Sequence, residues 1–245
     1  MTGPALKVYG ERNTGTRYLA QLVAANLEVR LLRGSAPRMV GWLGPDSEAL
    51  RDWYFRLTVR SNLGWKHRLP PSADDPILRD DRLRQVGFIT VVKNPYSWLL
   101  SLMRRQYSSG RTYASIEELV TSPWTTVGRE CSPPQFANAV EMWNLKYAAC
   151  LALPGARTVN LRYEDLLEDP ATQLEKIASR FSLPRRHASF TNVESSTKRS
   201  SQSFDDYRRY YLEERWRAKL TEREFALIGE RLDPAVMSAY GYDIV

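Results

Sequence analysis

The chain has 245 residues and a formal net charge of +7, with 43% hydrophobic and 26% charged residues, two histidines and two cysteines. That length suits one α/β domain with ample chain for a buried core, and no run is long or apolar enough to cross a membrane as a helix. Cys131 and Cys150 are too few for a disulfide framework and have no metal-ligating partners at useful spacing, so both are expected as reduced thiols.

Near the start, Ala5-Leu6-Lys7-Val8-Tyr9 predicts a strand and Tyr18 to Ala24 a helix. Between them, Gly10-Glu11-Arg12-Asn13-Thr14-Gly15-Thr16-Arg17 keeps the G-x-x-x-x-G spacing of a phosphate-binding loop. Such a loop points backbone N–H groups at an anion, and the helix behind it adds partial positive charge. An ATP-hydrolysing loop continues Gly-Lys-Ser/Thr, where lysine reaches the terminal phosphates and the hydroxyl holds magnesium. Here the continuation is Gly15-Thr16-Arg17, which suits a phosphate better than magnesium–ATP. A plain strand-to-helix turn would show the same two glycines, so a second site of the same kind decides the matter.

Residues 26 to 64 are rich in Arg, Trp and Gly, and Trp42, Trp53, Tyr54 and Trp65 fall close together, either as core or as the wall of a pocket. Gly64-Trp65-Lys66-His67-Arg68-Leu69-Pro70 then crowds a histidine between cations. Pro70 to Pro76 is expected as a loop.

The second site follows the apolar, β-branched run Phe88 to Val92, which predicts a strand buried on both faces of a parallel sheet. It ends in Lys93, where an ATPase would place an aspartate for its metal. Pro95 opens a helix, and Ser101 lies eight residues past Lys93, about one and a half turns into it. A cation at a strand's carboxyl end argues for an anion bound without a metal. Further on, residues 106 to 134 are polar and proline-punctuated, as a lid would be. Gln135 to Leu153 has helical apolar spacing, and Pro170 starts another helix. Residues 190 to 204 are expected to be mobile. Tyr207 to Leu232 predicts an amphipathic helix ending at Asp233-Pro234.

The order of these segments resembles the sulfotransferases that use 3′-phosphoadenosine 5′-phosphosulfate (PAPS) and release 3′-phosphoadenosine 5′-phosphate (PAP). The first loop is similar to the family's R-K-G-G-T-R form without a gap. Lys93 and Ser101 keep the family's eight-residue spacing, and Leu161-Arg162-Tyr163-Glu164-Asp165-Leu166 followed by Asp169-Pro170 is similar to its later strand and helix start. Gly241-Tyr242 resembles its carboxyl-terminal ending. The resemblance spans residues 5 to 185 and implies an α/β three-layer sandwich with a central, mainly parallel sheet and a P-loop-like phosphate-binding loop.

It further implies that Arg12, Asn13, Thr14, Gly15, Thr16 and Arg17 hold the 5′-phosphosulfate. Lys93 and Ser101 would hold the 3′-phosphate, with Lys198 and Arg199 in a basic loop above it and Tyr163 beside the adenine. The implied catalytic groups are His67, Lys66 and Arg12. Sulfuryl transfer to a hydroxyl or amine needs a base for the acceptor proton, and histidine titrates in the right range. His187 lies in a polar stretch after Pro184-Arg185-Arg186, which leaves His67 as the better base. Glu11 is its rival, or else orients Arg12 through an ion pair. Asn13 departs from the family, which usually carries a lysine there; Arg12, with its planar fork, is the nearest substitute.

The acceptor is expected to be a small molecule, lipid or glycan. The net charge allows peripheral contact with an anionic membrane. No nucleic-acid module accompanies that charge, so nucleic acid is not an expected partner, and no metal is implied. The amino terminus has no basic start followed by an apolar stretch, so a single cytoplasmic domain over residues 1–245 is expected. Two other readings remain open at this point. A P-loop kinase should show the loop lysine and a strand-end aspartate. A non-catalytic nucleotide-binding protein would keep both phosphate sites and tolerate Asn13.

Overall fold

The structure is a computed structural model that describes residues 4–41, 47–107, 111–194 and 203–245. Trp42, Lys198 and Arg199 lie outside the described residues. Four parallel strands form the central sheet in the order β2-β1-β3-β6: β1 Ala5–Tyr9, β2 Arg30–Leu31, β3 Gly87–Val92 and β6 Thr158–Arg162. A separate antiparallel ribbon pairs β4 Trp124–Thr125 with β5 Gln135–Phe136. The helices are α1 Thr16–Asn26, α2 Ser47–Asn62, α3 Pro95–Arg104, α4 Ile116–Thr121, α5 Ala139–Leu151, α6 Tyr163–Glu168, α7 Pro170–Phe181, α8 Phe204–Leu212, α9 Glu222–Gly229 and α10 Pro234–Ala239.

Two cores, one on each face of the sheet, follow from the alternation of side chains along β1 and β3. Leu6 and Val8 of β1 pack with Ile89 and Val91 of β3 and the apolar stripes of α1, α3 and α5. Ala5 and Tyr9 join Phe88 in a smaller core closed by Leu63, Leu78, Leu83, Val86 and Leu153. The architecture is thus a three-layer α/β sandwich around a parallel sheet. Lys7 breaks the apolar pattern of β1. Its buried ammonium donates to the carbonyls of Arg33 (3.2 Å), Asn62 (2.7 Å) and Gly64, tying the segment before Trp65 to the central strand.

Register does the positioning. Val8 lies opposite Ile89, so β1 and β3 end side by side, and the loops that follow them open on the same edge of the sheet. The helix after each loop starts where the sequence marks it. Pro95 occupies the first turn of α3 behind an Asn94 cap, and Pro170 opens α7 behind Asp169.

Three sequence expectations need correction. Gln135–Leu153 is not one helix, because Gln135–Phe136 pairs with Trp124–Thr125 and α5 begins only at Ala139, capped by Asn138. Tyr207 to Leu232 is broken. Glu214 adopts φ 47°, and the Thr221 capping box restarts the chain as α9. The stretch 106–134 does not form a lid throughout, since Ile116, Leu119, Val120 and Trp124 belong to the main core. A polar composition hid the few apolar residues that anchor it.

Gly87 starts β3 with no room for a side chain: a Cβ there would lie 2.4 Å from Phe181 and 2.5 Å from Leu6. Gly87→Ala is therefore expected to lower unfolding free energy by about 1–3 kcal/mol in urea denaturation. An unchanged midpoint would show that α7 can shift without cost.

Candidate anion-binding active site

The loop after β1 is shaped by packing at both glycines. A Cβ on Gly10 would lie 2.6 Å from the Val91 carbonyl oxygen, so the loop can leave β1 against β3 only without a side chain there. Gly15 has φ +85°, and a Cβ would lie 2.5 Å from the Tyr163 ring. It is the N-cap of α1, a helix end with no side-chain cap and no acidic residue in its first turn. Such an end favours an anion. Asn13 is also left-handed, at φ 67°, a conformation asparagine tolerates better than most residues.

This loop forms one wall of a cleft of about 790 Å³. Arg12, Asn13, Gly15, Thr16 and Arg17 line it, and so do Lys66, His67, Ser101 and Tyr163. Thr14 does not reach the cleft. It is buried and donates its hydroxyl to the Glu11 carbonyl at 2.6 Å, which holds the loop's own turn. Lys93 is also absent from the lining, buried directly behind Ser101. Its ammonium donates to Ser101 Oγ and to the Tyr211 hydroxyl, each at 2.8 Å, and faces the Tyr211 ring at 4.0 Å. Burial holds the Lys93 pKa below the usual lysine range, against the pull of Tyr211. Among the described residues the lining carries seven Lys or Arg side chains and one carboxylate, Asp206. A site so biased is made for polyanions.

His67 approaches the loop from the segment between α2 and β3. Its Nδ1 lies 2.5 Å from the Gly10 carbonyl oxygen. A carbonyl can only accept, so Nδ1 carries the proton and Nε2 keeps its lone pair. Burial, helped by the charges of Lys66, Arg12 and Lys146, pushes the His67 pKa well below its usual 6.5. The Trp65 ring packs edge-on against the imidazole at 4.9 Å. Lys66 lines the cleft beside it, its pKa lowered by burial and then by Arg17.

A buried ionic cluster joins the loop to this segment. Lys146 of α5 contacts Glu11 Oε2, donates to Glu130 Oε2 at 2.5 Å, and donates to the His67 carbonyl oxygen at 3.0 Å. Burial disfavours its charge, but the two carboxylates outweigh this and raise its pKa. Glu11 also accepts from the Tyr107 hydroxyl at 2.7 Å and from the Arg12 amide at 2.6 Å. With both oxygens engaged, Glu11 is placed to organise the loop rather than to collect a proton from an acceptor. The Arg12 guanidinium lies over Tyr107 at 3.8 Å and Trp65 at 4.8 Å, a stacked setting that fixes its direction.

The structure therefore brings His67, Lys66, Arg12, Asn13, Thr16, Arg17, Ser101 and Tyr163 to one cleft, with Lys93 one layer beneath. His187 is exposed, far in sequence from that segment, and is not among the cleft residues. Sequence reasoning missed Lys146, Glu130, Tyr107, Tyr211 and Lys219. None of them belongs to a phosphate-loop or strand-end motif in the chain.

No family model matches this sequence, and no curated protein matches it. Among solved structures, mouse sulfotransferase SULT7A1 complexed with PAP covers 98% of this chain and 89% of its own at 14% identity, with a TM-score of 0.53. The sulfotransferase domain of the olefin synthase from Synechococcus PCC 7002 covers 99% and 95% at 15% identity, with a TM-score of 0.47. The chain has the sulfotransferase fold.

Two outcomes are expected. Lys146→Met leaves Glu11 and Glu130 facing each other in the interior and should cost about 3–5 kcal/mol of stability by urea denaturation; a loss under about 1 kcal/mol would mean the cluster is not the clamp described. The second concerns pH. The fold holds His67 neutral, whereas the unfolded chain protonates it near 6.5, so this contribution is present above 6.5 and lost as pH falls. Between about pH 6.5 and pH 5 the stability difference between the wild type and His67→Asn should move against the wild type by up to about 1.4 kcal/mol per pH unit. A constant difference would refute a buried neutral imidazole.

Proposed function

We propose that this protein is an enzyme that moves a sulfuryl group from PAPS to a hydroxyl or amine of a small-molecule, lipid or carbohydrate acceptor, and that residues 1–245 act as one cytoplasmic catalytic domain. One observation carries the reading. Two cation-bearing loops, after β1 and β3, open side by side into a cleft whose strand-end residue is Lys93 rather than a metal-holding carboxylate. PAPS is a polyanion with phosphate at two separated positions, and it supplies a sulfuryl group on a phosphate leaving group. The uncapped end of α1, the closeness of Gly15 to Tyr163 and the cationic lining suit such a ligand. The likeness to a sulfotransferase solved with PAP bears on the fold and raises this cofactor as the first to test.

On this reading Gly15, Thr16 and Arg17 cradle the 5′-phosphosulfate at the start of α1. Lys93, held by Ser101, supplies charge to the 3′-phosphate. Tyr163 forms the wall on the adenine side. Arg12 and Lys66 stabilise charge growing on the sulfuryl and bridging oxygens, the electrostatic contribution that dominates such transfers. His67 accepts the acceptor proton at Nε2, because Nδ1 is already committed to Gly10. Arg12 takes the role the family gives to a lysine at the position of Asn13, and its stacking between Tyr107 and Trp65 orders it for that role.

The test is calorimetric titration with PAP, with adenosine 5′-phosphate and with magnesium–ATP. PAP should bind tightest, and Lys93→Met should weaken it about tenfold to a hundredfold. A preference for magnesium–ATP would turn the reading toward a kinase. With PAPS and an acceptor panel, His67→Ala should lower turnover about 10²- to 10⁴-fold while PAP affinity is kept. Binding without turnover on any acceptor would favour a non-catalytic nucleotide-binding protein.

A further inference from the structure

The seat at the end of β3 holds more donors than Lys93 and Ser101, and their protons are unevenly committed. An ammonium has three protons and a hydroxyl one. Lys93 gives one proton to Ser101 Oγ and another to the Tyr211 hydroxyl. Ser101 sends its own proton back along α3 to the Ser97 carbonyl oxygen at 3.0 Å. Ser101 therefore fixes Lys93 and has nothing left to donate to a ligand. Tyr211 receives from Lys93, and its separation of 3.4 Å from Ser101 Oγ is too long for a good O–H···O bond. Two protons are left uncommitted by these bonds, the third of Lys93 and that of the phenol, and of the two residues only Tyr211 lines the cleft.

The phenol is also held in place and polarised. Its ring stacks on Tyr207 at 6.3 Å and meets Tyr163 edge-on at 5.2 Å. Burial alone would raise its pKa, but the Lys93 ammonium outweighs that and brings it below the usual phenol value, which makes it a stronger donor. The neighbouring Tyr210 adds an independent sign of a ligand. Its hydroxyl is buried with no hydrogen-bond partner among the described residues. The Lys219 ammonium faces its ring at 4.9 Å and the Arg104 guanidinium at 5.8 Å, and all three line the same cleft.

We propose that Tyr211 is the hydroxyl donor to an anion seated on Lys93, that Tyr210 and Lys219 complete this seat from the carboxyl-terminal segment, and that the group it selects is the nucleotide's 3′-phosphate. The identity of that group rests on the proposed PAPS reading; the donor set does not. Selectivity follows because a nucleotide with a free 3′-hydroxyl leaves the phenol proton of Tyr211 and the cations Lys93 and Lys219 without an anion to hold.

Two probes separate the seat from the reading. The first is inorganic phosphate alone, followed by thermal shift. Phosphate should stabilise the wild type and Ser97→Ala, and should stabilise Tyr211→Phe and Lys219→Ala clearly less. The second is calorimetry with PAP against adenosine 5′-phosphate. Tyr211→Phe, which keeps the ring and its stacking, should weaken PAP about tenfold and leave adenosine 5′-phosphate unchanged. If the wild type prefers PAP and Tyr211→Phe prefers it equally, the inference is overturned and the PAPS reading stands. If the wild type shows no preference for PAP but phosphate stabilises it through Tyr211, the reading fails and the anion seat stands. Equal phosphate stabilisation of the wild type and Tyr211→Phe would overturn the seat itself.

Discussion

Everything at the cleft edge of the sheet hangs on one buried ammonium. Lys146 reaches from α5 to a carboxylate of the phosphate loop, a carboxylate of the 128–130 turn and the main chain of the His67 segment. These pieces have no shared strand to align them. A fully desolvated charge tolerates little disorder around it, because each unsatisfied partner costs several kcal/mol. The cluster therefore acts as a geometric constraint more than as a source of stability. Glu11 passes that constraint to Arg12 through its amide and to Tyr107 through its hydroxyl. The 128–130 turn is tied again to the His67 segment by the Leu69 amide, which donates to the Glu130 carbonyl oxygen at 2.7 Å. Lys7 does the same work one layer down, binding the carbonyls that lead into Trp65.

Much of this architecture was legible in the chain, for local reasons. Strand β3 announces itself through a run of β-branched residues between Gly87 and Lys93, and α3 through Asn94-Pro95, a cap and a first-turn proline. The loop Gly10 to Gly15 is recognisable because its glycines answer to fixed geometry, a close approach to Val91 at one end and a left-handed turn against Tyr163 at the other. What could not be read was partnership across the chain. Lys146 meets Glu11 over a separation of 135 residues, and Tyr211 meets Lys93 over 118. Neither lysine nor tyrosine carries a local mark of such a role; in a helix each looks like an ordinary amphipathic position. Thr14 shows the converse. Its place in the motif suggested a ligand contact, yet its hydroxyl closes the loop from inside.

Asn13 raised the question of what supplies the charge that a lysine carries in similar loops. On the proposed reading Arg12 supplies it, and its surroundings suit that role. Arg12 stands one residue earlier, its amide held by Glu11, its carbonyl by Trp98 Nε1 at 2.9 Å, and its guanidinium between two aromatic rings. A lysine at position 13 would need to order a flexible stem on binding, whereas this guanidinium is ordered beforehand. The cost of that rigidity is specificity of direction. A planar fork suits oxygens arrayed in one plane, so on the proposed reading Arg12 serves a phosphate–sulfate bridge only if the loop holds it at a set angle, and the Glu11–Lys146 link restrains that loop.

The neighbouring cations also set how readily the His67 imidazole takes a proton. Lys66, Arg12 and Lys146 each depress the His67 pKa, beyond the larger effect of burial. In that state the imidazole is neutral and available, yet it holds a proton poorly. A polyanion entering between Arg12 and Lys66 would neutralise two of those three fields without touching the hydrogen bond from Nδ1 to Gly10. The pKa must then rise toward its ordinary value, because an opposite charge nearby favours the protonated form. Linkage makes the effect mutual, so protonation of His67 must also tighten the hold on the anion. On the proposed reading, the imidazole becomes a competent acceptor of a proton only when the group whose transfer requires that proton's removal is already in the cleft. The proton it takes then adds positive charge beside the leaving oxygens as their negative charge grows.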